Sequence, residues 1–120
     1  MKILIIDDRK PIVRSTSIYL KTKGFTDINT LTDSRRVLDY VTMHKPDVIL
    51  LDLNMPYISG EILIKDIKAI QKETIIYIIS ADINPETISS CMRSGANDYF
   101  TKPVDNKELV AVLKQLIKSN

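Results

Sequence analysis

Asp7, Asp8, Asp52, Ser80 and Lys102 are the residues whose types and settings point to chemistry. Val48 to Leu51 is an unbroken apolar run that ends on the Asp52 carboxylate, and Ile3 to Ile6 ends the same way on Asp7 and Asp8. A buried run gains from its hydrocarbon, but an ionised carboxylate at its end must be solvated, paired or used. Three acids gathered at one place repel and demand a cation. Oxygen donors without His or Cys select a hard ion, Mg²⁺ or Mn²⁺, over zinc. A lysine and a hydroxyl beside such an ion are what the oxygens of a phosphoryl group require. Singly, each residue has an ordinary explanation: an acid pair caps a turn, Ser80 closes one, and Lys102-Pro103 starts a loop. The chemical reading rests on their common placement.

That placement follows from the elements. Ile3 to Ile6, Ile28 to Leu31, Val48 to Leu51, Ile75 to Ile79 and Asp98 to Thr101 read as strands bounded by turn residues. The three strongest are continuously apolar, as in a parallel sheet covered on both faces. Between them lie helical patterns. Pro11 to Lys23 stops at Gly24, and Thr32-Asp33-Ser34 offers caps for a helix to about His44. Ser59 to Gln71 carries a stripe of Ile62, Leu63, Asp66, Ile67 and Ile70. Asn84-Pro85-Glu86 opens a helix that Gly95 closes, and Leu109, Val112, Leu113, Leu116 and Ile117 form a stripe behind Asp105. The expected fold is a doubly wound α/β sandwich: a five-stranded parallel sheet in a flavodoxin-like (βα)₅ arrangement, one domain over residues 1–120. In such sheets sites form at the carboxyl ends of the strands, which is where Asp7, Asp8, Asp52, Asn54, Ser80 and Lys102 fall.

Composition narrows the alternatives. With 17 basic and 15 acidic residues spread along the chain and a net charge of +2, no basic block suggests nucleic acid or a membrane surface. The longest apolar runs are too short for a signal peptide or a span, which predicts a soluble, cytoplasmic protein. Cys91, the single cysteine, reads as a small core thiol. His44, the single histidine, reads as a surface residue at a helix end.

Four segments, "IIDD" (Ile5 to Asp8), "LLDLNMP" (Leu50 to Pro56), "IISA" (Ile78 to Ala81) and "GANDYFTKP" (Gly95 to Pro103), are separated by 44 residues from Asp8 to Asp52, 28 to Ser80 and 22 to Lys102. Together they make the chain similar to the receiver domain of two-component response regulators over essentially its whole length. The resemblance implies that Asp52 is the phosphoacceptor, taking a phosphoryl group from a phosphohistidine on a sensor histidine kinase or phosphotransfer protein, or from a small acyl phosphate. It implies Mg²⁺, with Mn²⁺ as a substitute, held by Asp7, Asp8, Asp52 and the backbone carbonyl of Asn54. It implies that Lys102 pairs with a phosphoryl oxygen, that the Lys102-Pro103 bond is cis, and that Ser80 and Tyr99 form the switch. Tyr99 would turn from solvent toward the space Ser80 vacates; Phe100, facing the other side of the strand, competes for that part. The resemblance further implies slow autodephosphorylation influenced by Asn54 and Asp82, and a partner or homodimer face from Asn84 to Lys118. Arg9 departs from the family pattern, where many relatives carry an acid or a neutral residue, and a cation there is expected to tune metal affinity or kinase docking.

Two other classes are weaker. A haloacid-dehalogenase-like phosphatase also uses a strand-end Asp with Mg²⁺ and Lys, but needs an acid two residues on, where this chain has Asn54. A nucleotide or flavin module needs a glycine-rich first loop, and glycine occurs only at 24, 60 and 95. The reading is a signalling switch and not an enzyme, acting either as a stand-alone receiver or as part of a longer regulator.

Overall fold

The computed structural model describes residues 1–118; the last two residues of the expected 1–120 domain lie outside the described ones. Five strands alternate with five helices: β1 (Ile3–Ile6), α1 (Lys10–Thr22), β2 (Ile28–Leu31), α2 (Val37–His44), β3 (Val48–Asp52), α3 (Gly60–Ile70), β4 (Ile75–Ser80), α4 (Pro85–Ser94), β5 (Asp98–Thr101) and α5 (Asn106–Lys118). All strands are parallel, in the order β2-β1-β3-β4-β5. The order reverses between β1 and β3, whose carboxyl ends carry Asp7 and Asp52.

Strand alternation divides the core in two. Ile3, Ile5, Val48, Leu50, Tyr77 and Phe100 face α1 and α5, where they meet Val13, Leu20, Leu109 and Leu113. Leu4, Ile6, Ile49, Leu51, Ile76 and Ile78 face α2, α3 and α4, where they meet Val41, Leu63, Ile67 and Cys91. β3 is buried along its whole length. That explains its unbroken apolar run, since a strand covered on both faces has no solvent side on which to place polar residues.

The helix boundaries fall within a residue of the sequence expectation except at α2. There a 3₁₀ turn, Ser34–Arg36, precedes the α-helix, and Asp33 accepts the Arg35 N–H at 2.9 Å. The Ser34 hydroxyl does not cap a helix. It donates to the Pro56 carbonyl at 2.7 Å and accepts the Ile58 N–H at 3.2 Å, bracing the loop after β3. Ser59 caps α3, Asn84 caps α4, and the Asp105 side chain accepts the Lys107 N–H at the start of α5. Two stripes differ from expectation. In α3, Ile64 is buried while Ile62 and Ile70 are exposed; in α5, Val110 is buried and Ile117 is half exposed.

Among the described residues, no helix is long and apolar enough to cross a membrane. Cys91 is buried, and burial pushes its thiol up to about 11. His44 is exposed at the end of α2, its ring 4.4 Å from that of Tyr40.

Candidate phosphoacceptor site

Alternation continued past the strand ends sorts the site residues. Asp7 follows Ile3 and Ile5, Asp52 follows Val48 and Leu50, and Lys102 follows Phe100, so all three fall on the α1/α5 side of the sheet. Ser80 follows Ile76 and Ile78 toward the α3/α4 side, which Tyr99 also faces. The residues suited to charge chemistry and those suited to a switch therefore occupy opposite faces of one strand-end rim.

Asp7 and Asp52 are buried, with only 4% and 5% of their surface exposed, while Asp8 is open to solvent. One carboxylate oxygen from each of the three acids lies within 4.8 Å of the others. Lys102 reaches across them, its Nζ donating to Asp7 Oδ2 at 3.4 Å and to Asp52 Oδ1 at 3.5 Å. The backbone N–H of Lys102 donates to the Ser80 carbonyl at 2.8 Å, which continues the β4–β5 ladder one step and fixes where the lysine starts. The Lys102–Pro103 peptide bond is cis. A cleft of about 560 Å³ opens over the rim, lined by Asp7, Arg9, Asp52 and Lys102 together with apolar Ile12 and Val104.

The two buried acids are driven apart electrostatically. Burial and the charge of Asp7 push the Asp52 carboxyl above the usual carboxylate range, opposed by Lys102 and by the Asn54 N–H at 3.4 Å. Burial would raise Asp7 too, but the backbone and side-chain hydrogen bonds from Arg9, with Lys102, outweigh it and hold Asp7 below its ordinary value. Asp52 is thus the more basic of the two carboxylates.

The loop after β3 is held by close packing. Gly60 lies so near Leu53 that a Cβ would come within 2.8 Å of the Leu53 Cα, and the Gly60 N–H donates to the Leu53 carbonyl at 3.0 Å. Asn54 stands in this loop, exposed. On the other face, Ser80 is fully buried and its hydroxyl accepts the Asp82 N–H at 3.1 Å. Tyr99 does not stand in solvent as expected: its hydroxyl donates to the Asp82 carbonyl at 2.6 Å, and the ring packs, half-buried, against the α2/α3/α4 core. Phe100 points the opposite way, edge-on to Tyr77 at 5.5 Å.

Two features of the site carry no readable signal in the sequence. Asp82 is clasped from both sides by Ser80 and Tyr99, a contact that depends on loop conformation. Arg9, expected to tune metal affinity or kinase docking but with no contact predicted for it, turns its guanidinium back onto Asp7.

Comparison with known proteins agrees with this architecture. The response regulator receiver domain family matches residues 3–114, and the chain belongs to that family. It is 35% identical over 122 residues to the transcriptional regulatory protein KdpE of Staphylococcus aureus, covering 99% of this chain and 52% of that one. It is 30% identical over 117 residues to the transcriptional regulatory protein PrrA of Mycobacterium tuberculosis, covering 98% and 50%. The chain therefore spans about half the length of these relatives. Among solved structures, the receiver domain of the Francisella response regulator 1452 superposes with a TM-score of 0.90 at 30% identity, covering 98% of this chain and 97% of that one. Membership implies phosphorylation-switch signalling, in a family not generally classed as enzymes. The acidic triad suits the divalent cation typical of receivers: its donors are all oxygens, and three carboxylates face a single compensating lysine and Arg9.

Proposed function

We propose that residues 1–120 form one receiver domain that works as a cytoplasmic signalling switch, accepting a phosphoryl group on Asp52 from the phosphohistidine of a sensor kinase or phosphotransfer protein. The observation that carries the reading is the bridge from Lys102 to the buried Asp7 and Asp52 within a triad of carboxylates. An Asp52 oxygen attacks phosphorus, the P–N bond to the imidazole breaks with its electron pair returning to the ring, and the new O–P bond is an acyl phosphate. Asp7, Asp8, Asp52 and the Asn54 carbonyl would hold Mg²⁺ or Mn²⁺, which supplies positive charge against the incoming phosphoryl oxygens. Lys102, already within reach of Asp52, transfers one hydrogen bond to a phosphoryl oxygen.

The signal leaves through Asp82. Its N–H is held by Ser80 and its carbonyl by Tyr99, so a Ser80 hydroxyl drawn toward the phosphoryl group gives up one of the two tethers. The Tyr99 ring is half-buried before that event, and its hydroxyl bond to Asp82 is the contact the loop movement strains or releases. The Asn84 to Lys118 surface passes the change to a partner or a second copy. Slow hydrolysis of the acyl phosphate resets the switch.

The test is labelling by acetyl phosphate with Mg²⁺, followed by intact mass. One added phosphoryl group is expected in the native protein and none in Asp52→Asn; unchanged labelling of the variant would overturn the assignment. Phosphate released catalytically instead of retained would favour a phosphatase, for which Asn54 is the wrong residue.

A further inference from the structure

Arg9 occupies Asp7 from two directions. Asp7 Oδ1 accepts the Arg9 backbone N–H at 3.0 Å and its Nε–H at 3.4 Å, while Oδ2 accepts Nη2 at 3.4 Å beside Lys102 Nζ at 3.4 Å. Both oxygens of a carboxylate that would ligate a divalent ion are thus already engaged by cations. The two are not equivalent. Lys102 is mostly buried and shared with Asp52, so it can relax onto that partner. The Arg9 side chain is half exposed and its guanidinium pairs with Asp7, so it has an open path outward. Its charge also acts on Asp8 and Asp52.

We infer that Arg9 is a built-in counter-ion that competes with the divalent cation for Asp7, so that metal binding must displace its guanidinium and the metal affinity of the site is set by that exchange. The inference rests on the metal site proposed above. Three carboxylates with Lys102 alone would leave a strongly anionic pocket; the second fixed cation lowers the field that draws in Mg²⁺ and stabilises the metal-free protein. By linkage, what Arg9 takes from metal affinity the metal takes from the Arg9–Asp7 pair, so loading the site sets a guanidinium free at the rim of the cleft. The backbone bond from the Arg9 N–H to Asp7 does not depend on the side chain, so substitution leaves that turn in place.

The experiment is a Mn²⁺ titration followed by electron paramagnetic resonance on the native protein, Arg9→Gln and Arg9→Lys, with no phosphoryl donor present. Arg9→Gln should bind Mn²⁺ about tenfold more tightly, the worth of one unit charge beside a divalent ion under water-like screening. Arg9→Lys, which keeps the charge and loses the planar fork, should fall between the two. The difference should shrink as KCl is raised, because the pair is exposed on one side. In ¹⁵N spectra of the native protein, the Arg9 Nε–H signal should shift as Mg²⁺ is added. Equal or weaker Mn²⁺ binding by Arg9→Gln overturns the inference, since Arg9 would then be organising Asp7 for the metal. Absence of Mn²⁺ binding by the native protein overturns the underlying site assignment instead, and the two failures are distinct.

Discussion

Replacing Asp52 by Asn should separate stability from chemistry at the acidic rim. At an effective dielectric of about 20, the Asp7 and Asp52 carboxylates within 4.8 Å repel by about 3 kcal/mol, and Lys102 at 3.5 Å attracts Asp52 by about 5 kcal/mol. Because Lys102 is a fifth exposed, its attraction is weakened and the two nearly cancel. What remains is desolvation of a buried charge, which Asn does not suffer, and Lys102 keeps Asp7 as its partner. In chelator, Asp52→Asn should therefore be more stable than the native protein by about 1 kcal/mol, a rise of about 4 °C in Tm. A divalent cation should reverse the order. At a hundred times its Kd, Mg²⁺ adds about 2.7 kcal/mol to a protein that binds it only when folded. The variant, short of one ligand, gains much less. The assay is thermal unfolding followed by circular dichroism, with EDTA and with Mg²⁺, on both proteins. An Asp52→Asn variant that melts below the native protein in EDTA would refute the reasoning, because Asp52 would then be a net stabilising ion-pair member and not a strained carboxylate held in reserve.

Lys102→Ala leaves Asp7 and Asp52 facing each other without their shared bridge; stability in EDTA should fall by about 2 kcal/mol, be largely restored by Mg²⁺, and phosphoryl transfer to Asp52 should slow, as read by melting curves and labelling kinetics. Gly60→Ala puts a methyl group within 2.8 Å of the Leu53 Cα, so the loop after β3 must shift; a loss of about 2 kcal/mol is expected by urea denaturation. Cys91 is fully buried with its thiol raised from 9.0 to about 11, so it should react with a thiol reagent only through unfolding. The neutral thiol is favoured in the fold, so its contribution is complete below about pH 9 and is lost as pH rises toward 11, which alkaline melting of Cys91→Ser against the native protein would show.

Much of the architecture was legible because β1, β3 and β4 are buried on both faces and so read as unbroken apolar runs, while Gly24, Gly95, Asn84 and Ser59 punctuate the helices. What was not legible is rotation. In α3, apolar residues at 62, 63, 64, 67 and 70 surround more than half the helix, and only docking on the sheet decides that Ile64 turns inward and Ile62 outward. The same holds for Val110 and Ile117 in α5. The break before α2 was hidden because Ser34 is an acceptable cap by type; that its hydroxyl instead reaches Pro56 is a long-range contact across 22 positions.

At the site, period and position are enough to gather Asp7, Asp52 and Lys102, because each follows a strand residue of the same face by two positions. That argument also places Ser80 and Tyr99 on the other face, Ser80 as the residue proposed to meet the phosphoryl group from that side and Tyr99 as the one proposed to report it. It is silent on Arg9, since an exposed side chain on a turn has no periodicity to constrain it. Yet Arg9 bears on the central electrostatic question. A carboxylate at the end of a strand buried on both faces is stabilised by positive charge nearby, and the metal-free protein cannot draw that charge from a cation that comes and goes. Lys102 and Arg9 supply it from within the chain. One is fixed between both acids and suited to stay when phosphoryl oxygens arrive; the other sits at the edge and is suited to leave when a metal does. On the proposed exchange, both cations serve the metal-free protein, and Lys102 alone remains at Asp7 and Asp52 once a metal is held.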